Sequence, residues 1–227
     1  MALIRCVMFD FGNVIGIFDT PCFREFIIKH RRNCTDPEEL FSGSLHHLTR
    51  DYDAGRMDSH QYFQAIEEAF QLENVSMYEF FQTINRVIHI DTEMLAIIDR
   101  LRNRGVATVL ITNMNPALIA YLRQNQPEIL SRFDHLFISC EEKVAKPNEE
   151  AWIRPLDAMG LKVEECICVD DYIGNIETFC NMGGKGWYYN VTGKHYFPNG
   201  KLEEERQKLN NFLEMLWKRG ILRPYFI

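Results

Sequence analysis

Short apolar runs punctuate the chain, and longer amphipathic stretches separate most of them. Leu3 to Phe9 is rich in strand formers and stops at Asp10, which predicts a buried strand. Three similar runs come much later, at Val106 to Ile111, His135 to Ser139 and Cys166 to Val169, with a fainter one at Gly186 to Tyr189. Between them the apolar positions recur at helical spacing. Leu95, Ile98 and Leu101 form one such face, with Asp91 as the expected N-cap and Gly105 just past the end. Glu149 to Met159 reads as a helix stopped by Gly160, and Ile173 to Met182 as a helix followed by Gly183 and Gly184. Alternating strands and helices predict a parallel sheet of Rossmann-like α/β type, with helices on both faces.

The stretch from about Thr20 to Ile90 has a different pattern, with no convincing strand. Thr35-Asp-Pro-Glu38 has the form of a capping box. Asp58 precedes Tyr62, Phe63, Ile66 and Phe70, the apolar face of an amphipathic helix. We expect an all-helical cap domain at residues 18–90, inserted after the first strand, and an α/β core domain built from residues 1–17 and 91–227. Near the C-terminus, Lys201 to Lys218 reads as one amphipathic helix with Leu209, Phe212, Leu213 and Leu216 on a face. The apolar tail Ile221 to Ile227 is expected to dock on the core or on a partner.

Composition narrows the function classes. Hydrophobic residues make up 46% of the 227 and charged residues 25%, an ordinary globular balance that argues against global disorder. A net charge of -7 argues against a nucleic-acid partner, although a locally positive site for a small anion remains open. No stretch approaches the ~20 apolar residues of a membrane span, so no membrane partner is expected. The seven cysteines are odd in number and irregular in spacing, which suits buried free thiols in a reducing, cytoplasmic setting. Cys166 and Cys168 are expected on opposite faces of their strand, and therefore to form no metal clamp. His46 and His47 are expected to be ordinary helix surface.

Four features fall at the C-terminal ends of the expected strands, the edge where open parallel sheets bind ligands. Asp10 ends the first run and is followed by Gly12-Asn13, a tight turn that would expose it; alone, the pattern suits a strand-capping carboxylate better. Thr112 and Asn113 offer a hydroxyl and an amide to phosphate oxygens, while the same segment could serve only to cap a helix at Pro116. Lys146, before Pro147, could neutralise a nucleophile and a phosphate together, although a single lysine is commonly solvated surface. The adjacent carboxylates Asp170 and Asp171 are costly unless a cation shares them, and oxygen-only ligands suit magnesium.

In this order and spacing, the four features resemble the haloacid dehalogenase-like hydrolase superfamily, over a span from Ile4 to about Tyr189. The resemblance implies a Mg2+-dependent attack by Asp10, which would be nucleophile and metal ligand, with the carbonyl of Gly12 as a second ligand. Thr112 would bind the phosphoryl group with Asn113 beside it, and Lys146 would orient and neutralise. Asp171 would bind metal directly, with Asp170 as ligand or support. The Asp-Phe-Gly-Asn-Val form of the first motif, and the segment Asp53-Ala-Gly55-Arg56-Met57-Asp58, are similar to a subgroup that includes an α-glucose-1-phosphate phosphatase.

One departure matters. Most phosphatases of this superfamily place a second aspartate two residues after the nucleophile, as general acid and base; this chain has Gly12. Asp19, or a cap residue such as Asp53, is a candidate replacement, although Asp19 reads more simply as the N-cap of a helix beginning near Pro21. The resulting expectation is a cytoplasmic phosphatase of a small phosphorylated metabolite, with sugar phosphates as one candidate class. The alternatives are a catalytically weak binding or regulatory protein on the same scaffold, or a dehalogenase-type hydrolase. The sequence carries no signal for oligomeric state.

Overall fold

The computed structural model describes residues 3–86, 88–191 and 200–225. In chain order the first elements are β1 (Cys6–Phe9), β2 (Gly16–Phe18), α1 (Thr20–His30), α2 (His46–Asp53), α3 (Ser59–Phe70), α4 (Met77–Arg86) and β3 (Ile88–Ile90). Next come α5 (Thr92–Asn103), β4 (Ala107–Thr112), α6 (Pro116–Asn125), α7 (Pro127–Leu130), β5 (His135–Ile138) and α8 (Ser139–Glu142). The last are α9 (Glu150–Met159), β6 (Cys166–Asp170), α10 (Ile173–Asn181), β7 (Lys185–Tyr188) and α11 (Leu202–Lys218).

Five strands form one sheet in the order β5-β4-β1-β6-β7, and every pairing is parallel. The central strands β1, β4 and β6 are buried throughout and mostly apolar because both faces are covered. Val7, Phe9, Leu110, Ile167 and Val169 face α5, α6 and α11, whereas Cys6, Met8, Val109, Ile111, Cys166 and Cys168 face α9 and α10. Side chains repeat with period two along a strand, so Cys166 and Cys168 share a face instead of opposing each other. All seven cysteines are free, but only Cys6, Cys140, Cys166 and Cys168 are buried as expected. Cys22, Cys34 and Cys180 sit on helix or loop surfaces and are exposed, while burial holds the Cys168 thiol well above its usual range.

After β1 the chain builds β4 and β5 on one side, then crosses to build β6 and β7 on the other. The reversal opens a crevice at the C-terminal ends of β1 and β6, the usual ligand position in such sheets. Helix ends follow the expected signals. Asp91 caps α5 by accepting from the backbone N–H groups of Glu93 and Met94, and Gly160 (φ 64°) closes α9.

Helices α1 to α4 leave and rejoin the core through β2 and β3, which pair antiparallel. The short strand Ile88–Ile90 lies in a stretch whose sequence showed none; it forms because Gly16–Phe18 supplies its partner across a long separation. The four helices bury their own aromatic core. Phe80 has Phe23, Phe63 and Phe81 rings with centroids 6.0, 5.4 and 5.2 Å away, and Tyr52 stacks on Tyr62 at 4.3 Å. Asp58 caps α3 in a complete capping box with Gln61. In the Thr35 segment the cap is Asp36 instead, accepting from Glu38 N–H at the start of a short 3-10 turn.

The C-terminal tail docks on the core. Ile4 N–H donates to Ile221 O, Arg223 N–H donates to Ile4 O, and Leu222 is buried; Phe226 and Ile227 lie outside the described residues. Among the described residues no helix is long and apolar enough to cross a membrane.

Candidate active site

The sheet edge brings the charged candidates together. Asp10 follows β1, and its N–H donates to Val169 O on β6, so the strand register itself sets Asp10 beside Asp170 and Asp171. Lys146 Nζ lies between two carboxylates, 2.9 Å from Asp10 Oδ1 and 2.5 Å from Asp170 Oδ2. Lys146 is only 5% exposed and Asp170 is fully buried.

Several neutral side chains hold this cluster. Asn113 clamps the Lys146 main chain from both sides: its Nδ2 donates to Lys146 O at 2.9 Å, and its Oδ1 accepts from Lys146 N–H at 2.8 Å. Asn113 was expected to face phosphate; its amide is engaged in placing the lysine. Asn175 Nδ2 donates to both Asp170 oxygens at 3.0 Å, and Tyr172 N–H donates to Asp170 Oδ1 at 2.9 Å. Asn13 Nδ2 donates to Asp171 Oδ2 at 3.1 Å, while Asn13 Oδ1 accepts from Phe18 N–H. Asn13 takes a left-handed backbone conformation (φ 53°), which asparagine tolerates better than most residues. The Gly-Asn turn was its signal in the sequence, but nothing there showed that its side chain reaches Asp171. Asn175 carried no comparable signal.

Electrostatically the cluster is unbalanced, with one ammonium against three carboxylates. Burial pushes the Asp10 carboxyl up to about 7; Lys146 opposes this, and Asp170 and Asp171 reinforce it. Burial disfavours the Lys146 ammonium, but Asp10 and Asp170 outweigh it and hold the lysine firmly charged. Asp10, Asp170 and Asp171 each present an oxygen within 4.8 Å of the others, a group able to hold a metal ion. Asn175 Oδ1 is buried beside them with no hydrogen-bond partner in the structure. An orphaned acceptor next to converging carboxylates fits a hydrated hard cation, whose bound waters donate outward.

Above this edge lies a cavity of about 750 Å3, of a size suited to a small-molecule ligand. Asp10, Gly12, Thr112, Asn113, Lys146 and Asp171 all line it, and Asp170 lies beneath them. Thr112 ends β4 and is 1% exposed. A Cβ built on Gly12 meets only Asp10 Oδ2, at 4.0 Å, so packing does not require glycine there. Cap residues form the opposite wall. His46, expected on the helix surface, lines the cavity and is half-buried, and burial lowers its pKa with help from Arg50.

Among the described residues, the C-terminal end of α2 and the loop after it are tied to the core by four hydrogen bonds. Ser139 Oγ donates to Asp53 O, Asn115 Nδ2 to Asp53 Oδ1 at 3.4 Å, Lys143 Nζ to Gly55 O at 2.8 Å, and Ala117 N–H to Tyr52 Oη at 3.3 Å. Gly55 (φ 65°) allows this approach, since a Cβ there would fall 2.2 Å from Cys140 O. Asp19 has a different place. It caps α1 by accepting from Cys22 N–H at 3.1 Å, and it is not among the residues that line the cavity.

Known proteins share this arrangement at the level of fold. The haloacid dehalogenase-like hydrolase profile matches residues 4–183. A predicted HAD-like family hydrolase from Porphyromonas gingivalis superposes with a TM-score of 0.73 at 22% identity, covering 92% of this chain and 98% of that one. A HAD family enzyme from Bacteroides thetaiotaomicron, solved with magnesium and inorganic phosphate, gives 0.71 at 20% identity, covering 84% and 96%. Among curated proteins, rat (Rattus norvegicus) bifunctional epoxide hydrolase 2 is 28% identical over 114 residues, 49% of this chain but 21% of that protein.

Proposed function

Because the chain belongs to the haloacid dehalogenase-like hydrolases, we propose that it is a magnesium-dependent phosphatase of a small phosphorylated metabolite. The observation that carries this reading is the Asp10–Lys146–Asp170 arrangement with Asp171 and the orphaned Asn175 Oδ1. Sugar phosphates suit the cavity's size, and free thiols suit a cytoplasmic setting.

Asp10, Asp171 and the carbonyl of Gly12 would hold Mg2+, with Asp170 supporting through Lys146 and Asn175. The ion, when bound, supplies positive charge to the phosphoryl oxygens and the nucleophile. Asp10 attacks phosphorus in line and forms an aspartyl phosphate. Lys146 neutralises Asp10 before attack and the phosphoryl oxygens after it, while Thr112 donates its hydroxyl to one of those oxygens. Asn113 fixes the lysine's main chain, so its contribution is positional. Charge compensation and placement carry most of the acceleration, since phosphoryl transfer passes through a loose, anionic transition state. Water then hydrolyses the intermediate.

Hydrolysis of p-nitrophenyl phosphate tests this directly. Turnover should need Mg2+, stop with EDTA, and fall on the order of 10⁴-fold or more in Asp10→Asn, as losses of a covalent nucleophile do. Activity that survives both changes removes Asp10 and the metal from the mechanism. Dehalogenation by the same carboxylate would need no cation, which leaves the convergence of Asp10, Asp170 and Asp171 without a purpose. A second reading, a feeble binding or regulatory protein, is favoured by Gly12 alone. The space beside Gly12 makes Gly12→Asp a fair test. A weak parent that gains strong turnover supports this second reading, and a native chain already competent on phosphate esters removes it.

A further inference from the structure

The phosphatase reading leaves a proton unassigned. With glycine at position 12, no carboxyl stands two residues from Asp10 to protonate the departing oxygen or to activate water. We infer that Asp53, at the end of cap helix α2, is the general acid and base for this reaction, delivered to the site by the cap. The inference rests on the proposed phosphatase activity and deepens it.

Position comes first. Asp53 lines the same cavity as Asp10, Thr112 and Lys146, from the opposite wall. Its carboxylate is tied by Asn115, three residues beyond Thr112 at the sheet edge, and its carbonyl by Ser139 at the end of β5. Both anchors belong to the core, so Asp53 holds this place only while the cap is docked. Asp19, the other candidate, is spent on capping α1 outside the cavity wall.

Chemistry comes second. Among the described residues no lysine, arginine or histidine forms an ion pair with Asp53; the neighbouring Asp51, by contrast, pairs with Arg56. A half-buried carboxyl with only an amide beside it favours its neutral form. Burial pushes Asp53 up to about 7, against the weak opposing hydrogen bond from Asn115. The groups facing it do not alter this near neutrality. Tyr52 on its own helix, Tyr62 of α3 and Cys140 of α8 are all pushed up by burial and stay uncharged. Of the cavity's cations, Arg56 is held by Asp51, Lys143 by Gly55 O and Lys146 by Asp10 and Asp170, and Arg50 and His46 sit earlier on α2.

The two half-reactions balance. As Asp10 Oδ bonds to phosphorus and the ester P–O bond breaks, the leaving oxygen takes the Asp53 proton and departs as an alcohol. The Asp53 carboxylate then removes a proton from water. The resulting hydroxide oxygen bonds to phosphorus, the P–O bond to Asp10 breaks, and inorganic phosphate leaves with Asp53 protonated again. A carboxyl near 7 can serve both halves close to neutral pH.

The test compares the native chain with Asp53→Asn on propyl phosphate and p-nitrophenyl phosphate, with Mg2+ present. Asp53→Asn should lose on the order of 10²–10⁴-fold in turnover on propyl phosphate. On p-nitrophenyl phosphate the loss should be smaller, with a burst of p-nitrophenol that matches the enzyme before slow dephosphorylation. Native turnover of propyl phosphate should fall above about pH 7, and the variant should lack that limb. Equal rates for the two proteins on propyl phosphate overturn the assignment while leaving the phosphatase reading intact. A native chain that turns over neither ester overturns the reading and the inference together. Should Asp53→Asn fail to fold, the native chain alone decides, using aryl phosphates of graded leaving-group pKa. A shallow dependence of rate on leaving group supports proton donation, and a steep one overturns it.

Discussion

The two walls of the cavity are built on different principles. On the sheet side each charged group is held by several partners: Lys146 by two carboxylates and an amide clamp, Asp170 by Lys146, Asn175 and the Tyr172 N–H. These groups stand at strand ends whose register is fixed by buried aliphatic packing on both faces. On the cap side the end of α2 and the loop after it meet the core through a few scattered hydrogen bonds, and the aromatic core of α1 to α4 is a separate cluster. The contrast teaches that charge is assembled once, by folding, whereas the cap loop can be engaged and released without disturbing either core. Closure of such a cap excludes water and completes the site.

Lys146→Met should break this comparison most severely. It leaves Asp10 and Asp170 facing each other, buried, with no cation between them. Removing one partner of a buried ion pair costs roughly 3–5 kcal/mol, so urea unfolding should shift by about that amount and turnover should vanish. The cap-side hydrogen bonds have no comparable role, and none of their variants should approach this loss. A Lys146→Met protein as stable as the native chain would mean that the carboxylates are protonated and the sheet wall is not a charge cluster.

Magnesium should act on the same wall with the opposite sign. At 100 times its dissociation constant, an ion that binds only the folded chain adds about 2.7 kcal/mol, or roughly 5–10 °C in Tm for a chain of this size. Asp171→Ala should abolish most of the shift, whereas Ser139→Ala, on the latch, should keep it. A thermal melt that ignores millimolar Mg2+ in the native protein would argue that the acidic trio is a structural cluster.

The same division explains how much was legible in the sequence. Strand ends are readable, because an apolar run stopping at Asp10, Thr112 or Asp170 marks the sheet edge without any knowledge of the fold. The parallel sheet and its covering helices followed from the alternation of elements. Partnerships across long separations were not readable: Asn113 with Lys146, Asn13 with Asp171, Asn175 with Asp170, and β3 with β2. Amides have no periodicity to betray them, and a three-residue strand exists only because its partner does. The cap was visible as amphipathic helices, but helical spacing does not say which residues turn from the aromatic core toward the cavity. For that reason His46 was placed on the surface and the side chain of Asp53 could not be assigned to the cavity, whereas the N-cap role of Asp19 was readable from the helix start near Pro21.

Ser139→Ala probes the latch. The hydroxyl donates to Asp53 O and accepts from Met114 N–H, so its loss leaves two polar backbone groups short of a partner. Such orphaning costs about 1–3 kcal/mol where the groups are buried. Part of that should appear as a stability loss in urea. The rest should appear as lower turnover on an alkyl phosphate, since a looser loop places Asp53 less often over the sheet edge. Tm should fall by less than in Lys146→Met. A variant with native turnover on the alkyl phosphate would show that this hydrogen bond does not hold the cap loop in its working position.

Asp19→Asn should have the smallest effect, and it sharpens the distinction between the two aspartates. Asp19 accepts from Cys22 N–H at the start of α1, and its nearest ion-pair partner, His89, is 3.9 Å away with both side chains well exposed. An exposed pair at that distance contributes little. Asparagine caps helices about as well as aspartate, because the capping group is a side-chain oxygen that need not be charged. Unfolding should therefore move by no more than about 0.5 kcal/mol, and turnover on propyl phosphate should match the native chain. The substitution removes a titratable carboxyl while keeping shape and cap, so it asks only whether a proton at position 19 is used. A tenfold loss on propyl phosphate, with little loss on p-nitrophenyl phosphate, would transfer the proton-donor role from Asp53 to Asp19. It would also mean that β2 and α1 bend further over the cavity in the working enzyme than they do in this structure.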